Sequence, residues 1–78
     1  MKLNAHQIKQ YREALGITQG ELSRKLGISS STLGAIEREE RRLSDAVASR
    51  ASSALREASR RVMAATEEIQ SLAHALQK

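Results

Sequence analysis

"ITQGELSRKLGISSSTLGAIE", residues 17–37, reads as two short helices with an abrupt turn between them, and that reading decides the fold. Thr18 and Glu21 stand as S/T-x-x-E, the spacing at which a capping hydroxyl and a carboxylate satisfy each other's backbone donors at a helix start. Leu22 and Leu26, one turn apart, supply an inner face, and Gly27 suits the left-handed residue that ends a helix. The next helix begins within Ser29–Ser31, where a short hydroxyl is a good cap, and it carries Leu33 and Ile36 inward.

Upstream, Asn4 caps a first helix over residues 5–15, with Ile8, Tyr11 and Leu15 spaced for one buried face and Gly16 as its stop. Downstream, REERR (residues 38–42) is a charged connection, and Ser44 with Asp45 opens a new helix. From there to Lys78 the chain has neither Gly nor Pro, which predicts one long helix or two joined by a slight bend. Ala48, Ala51, Leu55, Ala58, Val62, Ala65, Ile69, Leu72 and Leu76 follow at alternating steps of three and four, a heptad seam.

The rest of the composition agrees. A chain of 78 residues is one domain at most and buries only about 60 to 65% of its unfolded surface. With Tyr11 as the only aromatic residue, the core must come from Leu, Ile, Val, Met and Ala. No β-branched alternation of strand length occurs, so the class is all-α: a bundle of four to five helices with a long C-terminal one. Cysteine is absent, no apolar run approaches the ~18 residues of a membrane span, and the start MKLNAHQIK lacks a signal peptide's apolar stretch. The expectation is a cytoplasmic protein without a membrane segment.

Thirteen Lys and Arg against nine Asp and Glu give a net charge of +4. Eight of the basic and five of the acidic residues lie at or before Leu43, so the excess sits mainly in the front part. Such a balance fits an acidic partner such as nucleic acid. Two helices joined by a short turn beginning with Gly form a helix-turn-helix, whose second helix enters the DNA major groove. Enzyme chemistry has no purchase here. His6 and His74 are isolated, and no G-x-S-x-G, H-E-x-x-H or phosphate loop is present, so neither a metal site nor an activated nucleophile can be assembled. No cofactor is expected.

The stretch "REALGITQGELSRKLGISSSTLGAIERE" resembles the phage-repressor and xenobiotic-response-element (Cro/CI-type) helix-turn-helix family, which is lambda-repressor-like in fold. The likeness rests on T-Q-x-E-L at Thr18–Leu22, Gly27 in the turn and the Ile36-Glu37 ending, and it runs from Ile8 to about Leu55. It implies a transcriptional regulator, a repressor of the phage or mobile-element kind that occupies an operator on double-stranded DNA; the heptad seam adds that it does so as a dimer. It implies base contacts from Ser30, Ser31, Thr32, Gly34 and Ala35, and a phosphate contact from Gln19. It also implies an internal ion pair between Arg12 and Glu37. Around the reading helix, Ser29, Arg38, Arg41 and Arg42 are placed for further phosphate contacts. The reading surface is small, so bidentate base contacts, worth about 1 to 3 kcal/mol each, are not available to it. A bland alternative is that these serines only cap a core helix.

The domain plan is a DNA-binding unit over residues 1–56 and a dimerisation helix over 57–78, continuous with it. Ala58, Val62, Ala65, Ile69, Leu72 and Leu76 form the dimer seam. Set antiparallel to its copy, the seam places Val62 against Ala65, Ile69 against Ala58, Leu72 against Leu55 and Leu76 against Ala51. Two alternatives stand beside it: a helix that bends near residue 57 and folds back, and an antitoxin-like or adaptor module whose last helix grips another protein.

Overall fold

A computed structural model describes residues 2–77, and among them there are four helices and no strand. These are α1 (Ala5–Ala14), α2 (Gln19–Leu26), α3 (Ser30–Glu37) and α4 (Asp45–Leu76). Each starts on a side-chain cap. Asn4 accepts from the Gln7 amide at 2.8 Å and Gln7 accepts in return from the Asn4 amide at 3.0 Å. Thr18 and Glu21 repeat the same reciprocal arrangement at 3.1 and 3.0 Å. Of the three serines it is Ser29 that caps α3, accepting from the Thr32 amide at 3.0 Å, and Ser44 caps α4 from Val47 at 3.2 Å.

The first two helices end on glycine. Gly16 and Gly27 both sit at φ 71, a left-handed backbone that a Cβ would strain. The chain then doubles back, so that the Ile17 and Ile28 amides reach the Arg12 and Ser23 carbonyls at 3.0 and 3.1 Å. Both isoleucines pack onto the edge of the core. α3 closes in the same way with no glycine: Glu39 takes φ 62, and the Glu39 and Glu40 amides bond Ile36 and Ala35 at 2.9 Å each.

Ile8, Leu22, Leu26, Leu33, Ala51 and Leu55 form one buried cluster, which α2 joins by packing on both α3 and α4 while α1 packs on the same two helices. Arg50 of α4 donates to the Leu26 carbonyl at 3.2 Å, fastening the C-terminal end of α2. Tyr11 departs from expectation: it is 43% exposed. The inward positions of α1 are Ile8 and Arg12, four residues apart, which turns Tyr11 to the flank of the helix and leaves Leu15 half-buried.

Residues 45–76 form one helix of 32 residues, with no break near residue 57. Its first half closes the core through Ala48, Ala51 and Leu55. Beyond Ser59 every described residue is exposed, so α4 runs out from the globular part and the molecule extends 54 Å along its long axis. No described helix is long and apolar enough to cross a membrane.

Candidate nucleic-acid interface

The centre of the site is an ion pair inside the protein. Arg12 Nε and Nη2 donate to Oε2 and Oε1 of Glu37 at 2.7 and 2.9 Å, and Arg12 Nη1 donates to the Ile17 carbonyl at 2.8 Å. Both residues are buried, so the fork ties α1, the turn after it and the end of α3 into one body. Burial works against the Glu37 carboxylate, yet the hydrogen bonds from Arg12 and Gln19 and the Arg12 charge outweigh it and hold its pKa below the ordinary value. The hydrogen bond to Glu37 in turn raises the Arg12 pKa against its own desolvation.

Glu37 also holds Gln19. The Gln19 amide group donates to Glu37 Oε1 at 3.0 Å, which fixes the first residue of α2 beside α3. Gly34 faces this pair: a Cβ there would lie 3.5 Å from Gln19 Oε1 and 3.1 Å from Arg38 Nη1. Gly34 is therefore buried beneath two side chains. Gly34, expected among the base contacts, thus lies under the ends of Gln19 and Arg38, two side chains expected at phosphates.

Ser30 and Ser31 are exposed in the first turn of α3, with Thr32 and Ala35 half-buried beside them. The Ser30 and Ser31 backbone amides belong to the turn that has no intrahelical acceptor. Ser29 is already committed, since its hydroxyl donates to Thr32 Oγ1 at 2.8 Å while accepting the Thr32 amide. Its hydroxyl reaches a phosphate only by giving up Thr32. Arg38 is exposed and paired with Glu40 at 3.0 Å, and Arg41 and Arg42 are exposed in the connection to α4. Arg24 and Lys25 face solvent on α2. On α4, Arg60 and Arg61 both lean on Glu57, at 3.4 and 3.5 Å.

The dimer seam divides at the edge of the domain. Ala58 is half-buried, whereas Val62, Ala65, Ile69, Leu72 and Leu76 are exposed. One expected layer changes: Ala51 is fully buried in its own core, so a partner's Leu76 cannot pack on it. No group of His, Asp and Glu residues that could hold a metal ion occurs among the described residues.

The link from Gln19 to Glu37 carries no local signal, because it joins α2 to α3 by tertiary contact alone, whereas Arg38 lies over Gly34 from one turn further along the same helix. A family model described as helix-turn-helix matches residues 8–61. No curated protein and no solved structure matches the chain.

Proposed function

This chain belongs to the helix-turn-helix family of DNA-binding regulators, and from that premise we propose that it binds an operator as a homodimer, repressing transcription by excluding polymerase. The observation that carries the proposal is the pairing of an exposed first turn of α3, at Ser30 and Ser31, with Gln19 held beside it by Glu37. A body braced this way presents its reading surface already ordered, which lowers the entropy lost on binding.

In this reading Ser30, Ser31, Thr32, Gly34 and Ala35 meet base edges, and Gln19, Ser29, Arg38, Arg41 and Arg42 meet phosphates, Arg38 uncovering Gly34 as it turns to the backbone. Base discrimination then comes from thymine methyl groups, bridging water and DNA shape more than from bidentate pairs. Residues 1–56 form the DNA-binding unit and residues 57–78 the dimerisation helix. An antiparallel pair puts equivalent residues at position 51 about 37 Å apart, near the ~34 Å that separates half-sites on one face of DNA.

Selection of bound sequences from random double-stranded DNA, followed by gel shift at several salt concentrations, tests the proposal. The expected result is a symmetric site bound by two chains, with log K falling against log salt by roughly 0.9 per neutralised phosphate. Binding that selects no sequence, beside capture of an unrelated protein through α4, would favour the adaptor reading instead.

A further inference from the structure

An open apolar groove of about 360 Å³ lies where α1 meets α4, lined by Leu3, Tyr11, Leu15, Leu55, Arg56 and Ser59. It holds the one aromatic side chain of the protein, on the face of α1 that the core does not use. The groove opens onto the stripe of α4 that carries Val62, Ile69, Leu72 and Leu76, all of them at least 47% exposed. Groove and stripe make one apolar track, because positions 55, 62, 69 and 76 repeat every seven residues along the same side of the helix.

We propose that the occupant of this groove is the far end of α4 from a second copy of the chain, with Leu72 and Leu76 of one protomer seated between α1 and α4 of the other. The proposal deepens the dimer reading above and rests on it. Its geometry follows from symmetry: only an antiparallel pair returns the end of one α4 to the domain of its partner, and the two-fold then fills both grooves at once. Seventeen residues separate Leu55 from Leu72, about 25 Å of helix, so the partner's α4 spans the exposed stripe and arrives at the groove with its last turns. Ala51 is closed off in its own core, which directs Leu76 to the groove beside it.

Charge selects the same arrangement. Arg60 and Arg61 share the single carboxylate of Glu57, while Glu67 and Glu68 have no ionic partner among the described residues. An antiparallel pair centred between residues 63 and 64 lays Arg60 and Arg61 of one copy along Glu67 and Glu68 of the other. A parallel pair sets those glutamates against each other. Arg56, at the rim of the groove and without an ion pair among the described residues, faces the incoming C-terminal end of a helix, whose free carbonyls favour a cation.

The chain has no cysteine, so single cysteines report position cleanly. Tyr11→Cys and Leu76→Cys proteins, each full length, are mixed and mildly oxidised while light scattering follows the oligomeric state. The expected result is a dimer in which the mixture gives a covalent heterodimer joining positions 11 and 76, at several times the yield of either protein alone. Leu72→Asp, which alters an exposed position and leaves the core intact, is expected to raise the dimer dissociation constant roughly tenfold or more. A dimer that crosslinks 76 to 76, or never 11 to 76, overturns the groove assignment while leaving a dimeric DNA-binding protein. A monomer at micromolar concentration overturns both the groove assignment and the dimer. Loss of DNA selectivity with the 11–76 crosslink intact leaves this inference standing and removes the operator reading.

Discussion

Glu37 Oε1 receives both Arg12 Nη2 at 2.9 Å and the Gln19 amide at 3.0 Å, so one carboxylate oxygen joins the residue that braces α1 to the residue that flanks α3. The brace of the fold and the proposed phosphate contact of Gln19 meet at that atom. Substitutions around it separate the two.

Arg12→Ala leaves the Glu37 carboxylate buried without its cation, and is expected to lower unfolding stability by about 3 to 5 kcal/mol, a large part of what a small domain has. Arg12→Met with Glu37→Leu removes both charges and is expected to recover most of that loss. The pH response has a definite sign. The folded pKa of Glu37 lies below its unfolded value, so its contribution is present above about pH 4.3 and is lost as pH falls through the folded pKa. Urea midpoints at pH 7, 4 and 3 check this, and the double variant should show less of the acid loss than the natural chain.

Gln19→Ala removes one hydrogen bond from a half-buried site, which affects stability by about 1 kcal/mol. Its expected effect on DNA is uniform weakening of operator and random sequence, because a phosphate contact positions and does not specify. Fluorescence anisotropy on both DNAs decides. A change in base preference with unchanged affinity for random DNA would assign Gln19 to readout.

Glu39 holds φ 62 where the two earlier helices use glycine. A left-handed backbone costs a residue with a Cβ roughly 1 to 2 kcal/mol. Glu39→Gly is therefore expected to stabilise the fold by about 1 kcal/mol, since glycine recovers that strain and gives back part of it in unfolded-state entropy. Thermal unfolding measures it. A lower melting temperature would mean that the Glu39 side chain contributes more than its backbone conformation costs.

The caps of α1, α2 and α3, the glycine stops of α1 and α2 and the inner leucines of α2 were legible in residues 4–37 because each depends on neighbours within four positions. Thr18 with Glu21, and Gly27 after Leu26, are local chemistry. Tyr11 was not legible: Tyr11 and Arg12 are adjacent, and which of them turns inward depends on Glu37, twenty-five residues further on. Half of the cover over Gly34 was hidden for the same reason, since Gln19 reaches it from α2, while Arg38 lies only four residues along the same helix. The continuity of α4 lay between two readings, because absence of Gly and Pro permits a helix without compelling it to stay unbroken.

The serines at the start of α3 divide between two tasks, and the division can be measured. Ser29 accepts the Thr32 amide and donates to the Thr32 hydroxyl, so Ser29→Ala is expected to cost about 1 kcal/mol of stability, as loss of a helix cap does. Ser30 and Ser31 are exposed and make no such cap. Ser30→Ala and Ser31→Ala are expected to leave the melting temperature nearly unchanged, because Ala is at least as good a helix former as Ser. On DNA the order reverses: these two changes should lower operator affinity by about 1 kcal/mol or more and leave random DNA nearly untouched, since base contacts carry the sequence information. Paired melting curves and competition gel shifts on the three variants make the test. If Ser30→Ala and Ser31→Ala shift melting and leave discrimination unchanged, the first turn of α3 is a structural start only, and readout must come from elsewhere on the surface.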